Sequence, residues 1–313
     1  PFATWTRKDF WGYAAFFAIG AYTYGLAASP QFGLHISFWP MLFVGAAIAA
    51  VFGVLLGFPT LRLRGDYIAI VTLGFGEIVP TIFLNLDQIT NGIKITNGPD
   101  GLDAIDSPSI FGHSFGVAAP PYYYLILIIM AGLIWLILNL RDSRLGRAWI
   151  AVREDEIAAA SMGINTTVVK LLAYALGASF SGFGGVFFAS KLGTVSPDMF
   201  RFYVSVQILS MVVLGGMGSI PGVIAGAFLL YQLQTFVLTL LTTWSHDLGR
   251  AMHVDVMQSW DFTNLKLLLY GVALVGMMLF RPEGLIPSSQ RKAELTVAKA
   301  AEAEAPQPAV EVA

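Results

Sequence analysis

Cysteine is absent from the 313 residues, which excludes disulfides, thiolate metal sites and cysteine nucleophiles together. Charge is also scarce. Asp, Glu, Lys and Arg make up 12% of the chain, half the ~25% of an ordinary soluble domain, so the class is integral membrane protein. A formal net charge of −2 supplies no basic field for nucleic acid. His35, His113, His246 and His253 all lie outside the apolar runs, which argues against buried histidine metal chemistry. No HExxH, GxSxG or Walker A pattern occurs, and no paired carboxylates converge in the apolar runs. The chain is therefore expected to be no enzyme, to carry no cofactor or metal, and to bind no ATP through a P-loop of its own. Pro1–Phe10 lacks the apolar core of a signal peptide. Because the first residue is Pro1 rather than Met, the expectation is a processed, trimmed or late start.

What fills the chain instead is apolar sequence, 56% of it. A helix needs roughly 20 apolar residues to cross the hydrocarbon core. Runs of that kind are Trp11–Ala28, Phe38–Phe58, Tyr67–Leu84, Tyr122–Leu140, Val168–Ser190, Ile220–Leu241 and Asn264–Phe280. Tyr203–Gly215 is shorter and runs into Gly215, Gly216, Gly218, Pro221 and Gly222, so it reads either as a re-entrant element or as a short crossing. The expected fold is an all-α, polytopic bundle of about eight passes over residues 1–287, with a disordered cytoplasmic tail over 288–313 that is too polar to bury a core.

Eight passes sort the cations. One set of loops holds Arg7, Lys8, Arg62, Arg64, Arg141, Arg144, Arg147, Arg153, Lys170, Arg281, Arg291, Lys292 and Lys299, while the other holds Lys94, Lys191, Arg201, Arg250 and Lys266. The positive-inside rule makes the first set cytoplasmic. Small residues four apart mark helix seams at Gly45, Ala49, Gly53 and Gly57, at Gly177, Ser181, Gly185 and Ala189, and at Gly218, Gly222 and Gly226.

Polar residues interrupt this pattern in few places. Asp66 opens the third run, where the helix dipole favours a carboxylate cap. Glu77 lies inside that run, three residues before Pro80, which is expected to break the helix. Two readings fit Glu77: a pathway carboxylate that couples transport to an ion, or a helix-end carboxylate bonded to a neighbour. The external loop 85–121 carries the turn formers Asn97, Gly98 and Asp100 in TNGPDGL. It is long for a connection, which makes those three residues candidates for contact with a partner protein.

The cytoplasmic loop 141–170 holds REDEIAAASMGIN. Asp155 or a neighbour can cap a short helix beginning near Glu156, Ala158–Ala160 favour helix, and Gly163 suits the left-handed position after it. Asn165 or Thr166 then caps the next membrane helix. Ile150, Ile157 and Ile164 recur every seven residues as an apolar stripe. Such a helix can dock in a groove of a cytoplasmic protein or rest on lipid headgroups.

Glu156, Ala158, Ala159 and Gly163 resemble the E-x-A-A-x-x-x-G core of the EAA loop in permease subunits of ABC importers. Together with LRLRGDYIAIVTLGFGEI, TNGPDGL, RDSRLGRAW, SMGIN, VVLGGMGSIPG and RPEGLIP, the chain from about Trp11 to Pro287 resembles the branched-chain amino acid permeases of LivM type. The resemblance implies a bacterial inner-membrane location and a second permease subunit of related type. It also implies two cytoplasmic ATPase subunits that carry the ATP and Mg and dock on 154–164, and a periplasmic or extracellular solute-binding protein. The solute is then leucine, isoleucine, valine or a related amino acid. The I-x-L-P ending of many EAA loops is absent, Thr166–Val169 standing in its place. A different class, a self-contained secondary transporter coupled through Glu77, is the alternative.

Overall fold

The structure, a computed structural model, describes residues 12–63, 67–89, 94–110, 113–116, 119–216, 218–252, 265–281 and 284–286. Asp66 and the segment 288–313 lie outside the described residues. The chain is a helical, multi-pass membrane protein. Among the described residues, six helices have the length and composition to cross a bilayer: Phe38–Thr60, Ile70–Ile89, Pro120–Asp142, Thr166–Leu192, Pro197–Gly215 and Ile220–Asp247. Two shorter apolar helices, Tyr13–Ala28 and Leu268–Met277, accompany them. Among the described residues, strand pairing is limited to a two-residue antiparallel ladder, β1 (Ser109–Ile110) with β2 (His113–Ser114), and an isolated bridge between Leu102 and Val195.

Two compact units divide between Ser205 and Val206. In the first, α1 (Tyr13–Ala28), α2 (Phe38–Thr60) and α7 (Thr166–Leu192) pack together, and α3 (Tyr67–Ile89) lies against α1. A helix apolar on every side belongs in a core. α1 obeys this rule: Ala14, Ala18, Tyr22, Tyr24 and Ala28 are all essentially inaccessible. Its first amides, which no helical carbonyl reaches, are partly served by Ser205, whose Oγ accepts from the Ala14 amide at 3.2 Å. Tyr22 stacks on Phe83 with ring centroids 4.0 Å apart.

The glycine seams are partly as expected. On α2, a methyl group at Gly45, Gly53 or Gly57 would strike Val186, Ala178 or Tyr174 of α7. On α7 the seam runs through Ser181, Gly182 and Gly185, because Gly177 faces open space. Gly218, with φ of 87°, belongs to a turn rather than to the helix that begins at Ile220.

Helix α3 overturns one expectation, since it continues through Pro80 to Ile89. Proline removes one amide and crowds the preceding turn, yet membrane helices tolerate it when nearby hydroxyls take up backbone groups. Here Thr81 Oγ1 donates to the Glu77 carbonyl at 2.7 Å, and Asn85 donates to the Thr81 carbonyl at 2.9 Å.

α4 (Ala119–Asp142) leads to two short helices, α5 (Arg144–Glu154) and α6 (Glu156–Ser161), before α7. The second unit holds most of α8 (Phe202–Gly215), which follows a 3-10 turn at Pro197–Phe200, and then α9 (Ile220–Gln232), a π-helical turn at Leu233–Leu238, α10 (Thr239–Met252) and α11 (Lys266–Phe280). The sequence showed neither the π turn nor the continuation to Met252, which brings His246 into a helix rather than outside the apolar runs. Leu285 and Ile286 amides bond to the carbonyls of Leu214 and Gly215.

Candidate functional site

The short helix α6 is built by its ends. The Asp155 carboxylate accepts from the amides of Ile157 (2.8 Å) and Ala158 (2.9 Å), satisfying two donors that a helix N-terminus leaves open. At the other end Gly163 takes φ of 84°, a left-handed geometry that costs an ordinary side chain roughly 1–2 kcal/mol. Two residues later Asn165 Oδ1 caps α7 by accepting from the Val168 amide at 3.1 Å. Sequence chemistry alone therefore brackets the element.

Its attachment was not legible. α5, whose N-cap is Ser143, precedes α6 and packs against it. Val152 of α5, Ala159 of α6 and Val169 of α7 form a small core of their own, flanked by Trp149 and Ile164. Trp149 Nε1 donates to the Val169 carbonyl at 2.7 Å, and Glu156 forms an ion pair with Lys170 at 2.5 Å. α5, α6 and the start of α7 thus make one knob.

Among the four expected docking residues, Ala159 faces inward at 4% exposure, Glu156 is turned toward Lys170, and Ala158 and Gly163 lie at the surface. The outermost apolar side chains are Ile157, 81% exposed, and Met162, 84% exposed. The stripe of Ile150, Ile157 and Ile164 does not exist as one face. Asp155 is extended, with φ of −151° and ψ of 113°, so the sevenfold spacing spans two separate helices and Ile164 turns into the small core.

Glu77 lies within α3, roughly 15 Å from one end and 18 Å from the other at 1.5 Å per residue. Its Oε1 accepts from the Phe202 amide at 2.9 Å. Phe202 begins α8, so the carboxylate serves the N-terminus of a neighbouring helix, where both a first-turn amide and the helix dipole favour it. Glu77 is thus bonded to a neighbouring helix, but from inside α3 rather than from its end. Counted together with the 3-10 turn before it, the stretch Pro197–Gly215 has 19 residues, enough to cross.

On the opposite face, the loop around 94–116 is clasped at several points. Asp87 Oδ1 accepts from the amides of Ile95 (2.7 Å) and Thr96 (2.8 Å). Leu102 and Val195 exchange both backbone bonds at 2.8 Å, and Asp103 accepts from the Thr194 hydroxyl at 2.6 Å. Asn97 and Gly98 are left-handed, at φ of 58° and 54°, and largely turned inward, whereas Asp100 is exposed. Two of the three candidate contact residues therefore shape the turn, and Asp100 is the one presented. A shallow depression beside them is lined by Ser29, Gln31, Lys94, Asn97, Gly101 and Asp103. Asp87, Asp103 and Leu102 were not singled out by sequence, because their partners are remote in the chain.

Comparison with known proteins extends this picture. The chain is 40% identical over 306 residues to the high-affinity branched-chain amino acid transport system permease protein LivM of Salmonella typhimurium, covering 91% of this chain and 65% of that protein. The LivM protein of Escherichia coli gives the same identity and coverage. A more distant relative, the autoinducer 2 import system permease protein LsrC of Yersinia pseudotuberculosis, is 27% identical over 235 residues, covering 72% of this chain and 62% of the relative. The chain thus spans about two thirds of the length of the curated relatives it matches, 65% for both LivM proteins. No solved structure matches it. Residues 11–278 match the family described as branched-chain amino acid transport system / permease component, and the chain belongs to that family.

Proposed function

We propose that this chain is a membrane subunit of an ABC importer for leucine, isoleucine, valine or a related amino acid, working in a bacterial inner membrane. The observation that carries the reading is the knob of α5, α6 and the start of α7. It offers Ile157 and Met162 to a partner while Glu156 and Trp149 tie it to a membrane helix. An apolar pair on a rigid, surface-held helix suits a groove in a cytoplasmic protein. In this reading two ATPase subunits, carrying ATP and Mg, dock on α6, and their closure moves α7. A second, related permease subunit completes the pathway. A solute-binding protein meets the opposite face near Asp100. Glu77, bonded to the start of α8, speaks for this reading over an ion-coupled transporter working alone.

Reconstitution tests the reading directly. With partner subunits and a solute-binding protein, the chain is expected to drive leucine uptake that needs ATP, and none in their absence. Uptake by the chain alone, following an ion gradient, would sink it.

Topology has its own test, made simple by the absence of cysteine. Ser161→Cys is expected to react with a membrane-impermeant thiol reagent from the cytoplasmic side only, and Asp100→Cys from the outside only. Reversed labelling would overturn the orientation.

A second test uses the left-handed residue. Gly163→Asn is expected to retain uptake, because asparagine adopts this conformation more readily than other residues, while Gly163→Val loses most of it. Nothing lies within 4 Å of the added Cβ, so any loss reports backbone conformation rather than a clash. Equal uptake by the two variants would show that this backbone geometry does not matter to docking.

A further inference from the structure

The helix Ile220–Asp247 is counted as a single 28-residue span, yet its middle is not α-helical. Residues Leu233–Leu238 form a π turn. Such turns are rare, and they recur at functional sites because the wider ring displaces a side chain and weakens the backbone ladder. Here the displaced region carries Gln234. From Ile220 to Gln234 is roughly 21 Å along the axis, which sets the carboxamide deep in the bilayer rather than at its edge.

Two polar side chains from other helices of the same unit meet it. Tyr270 of α11, 1% exposed, donates its hydroxyl to Gln234 Oε1. Gln207 of α8 donates Nε2 to the same oxygen over a long 3.4 Å. One end of the Gln234 carboxamide therefore receives two donors. Its nitrogen, with two hydrogens, has no hydrogen-bond partner among the described residues, and neither has the Gln207 carbonyl oxygen.

A polar staple between helices would be expected to use its capacity, since an open donor or acceptor in hydrocarbon is costly. This cluster holds two N–H groups and an amide oxygen in reserve. A second observation indicates where they face. Thr235, Thr239 and Thr243, spaced four apart beside Gln234, are all exposed. Of these, Thr243 is satisfied by the Thr239 carbonyl at 3.0 Å, while the hydroxyls of Thr235 and Thr239 have no partner among the described residues. Around the helix from them, the exposed residues are apolar: Phe236, 66% accessible, and Leu240, 47% accessible. Over Thr235–Thr243 the hydroxyls thus form a polar row, bounded toward the helix start by the exposed rings of Tyr231 and Phe228.

We propose that Gln207, Gln234 and Thr235 form a solute-contact site on the translocation pathway, with Tyr270 orienting Gln234. Open amide hydrogens suit the carboxylate of an amino acid, and an open amide oxygen suits its ammonium group. The absence of a fixed charge among these residues favours a solute with no net charge over an ion. This deepens the importer reading and rests on it.

The test uses the assembled transporter with its partner subunits. Thr235→Cys is expected to react with a membrane-impermeant methanethiosulfonate, and saturating leucine delivered by the binding protein is expected to slow that reaction severalfold. Phe236→Cys is expected not to react. Gln234→Leu is expected to raise the KM for uptake tenfold or more, and Tyr270→Phe to raise it less. If Thr235→Cys reacts no faster than Phe236→Cys, or if Gln234→Leu transports with an unchanged KM, the site is wrong. Labelling is read without any uptake, so it stands even if Gln234→Leu fails to fold. Absence of ATP-driven uptake by the unmutated assembly would instead strike the importer reading itself.

Discussion

Gly185→Val is expected to yield protein that cannot be extracted from the membrane in folded form: a gel-filtration profile dominated by aggregate and no cooperative thermal transition. At this position the added Cβ would lie 2.1 Å from the Phe17 carbonyl oxygen and 2.8 Å from the Ala21 amide nitrogen. Both atoms are backbone, so no rotamer change can relieve the clash. The helices α1 and α7 must separate, and α1 is the buried centre of the first unit. Overpacking a close-packed core commonly costs 1–3 kcal/mol, and a backbone clash that separates two helices belongs at about 3 kcal/mol or beyond. That is a large part of the ~5–15 kcal/mol that holds a typical domain together. Gly177→Val is the matched control, because it is on the same helix with nothing within 4 Å of the new Cβ. Identical profiles for the two variants would refute the assignment of the seam.

The second large effect is on coupling rather than folding. The double variant Ile157→Asp with Met162→Asp is expected to lower ATP-driven uptake about thirtyfold while insertion and extraction stay normal. Both side chains project from the knob, at 81% and 84% exposure, so their replacement costs little in the chain itself. In a docked complex they would be buried anchors. Loss of such anchors costs ~2 kcal/mol or more, and 1.4 kcal/mol is a factor of ten. Co-purification of the ATPase subunits gives an independent readout and should fall in parallel. Wild-type uptake and co-purification would mean that α6 is not the docking element.

Much of this architecture could be read from local chemistry. Asp155, Gly163 and Asn165 act within a few residues of themselves, so capping rules locate α6 and the start of α7. The α2 seam was equally legible, because small residues four apart on an apolar helix leave few other uses. What failed was whatever depended on distant partners. The motif contains Ala159, but nothing in the motif shows that its side chain completes a core with Val152 and Val169. Pro80 was expected to end α3, but Thr81 and Asn85 take up backbone carbonyls around it. The sevenfold isoleucine spacing misled for a similar reason: periodicity has meaning only along one unbroken helix. Glu77 illustrates the limit most plainly. Its composition-level oddity was visible, whereas its partner, the Phe202 amide, is 125 residues away.

The 27 residues of α7 run without interruption from the knob to Gly193, a rod roughly 40 Å long. Just beyond its far end, Thr194 and Val195 grip Asp103 and Leu102 of the loop around 94–116. One stiff element therefore touches both candidate docking faces, with no joint between them. If both partners bias the position of that rod, thermodynamic linkage imposes an equality: whatever factor nucleotide occupancy inside applies to the affinity for the solute-binding protein outside, the binding protein must apply to nucleotide affinity. Measuring both factors on the same preparation would weigh the rod as a carrier of free energy across the bilayer.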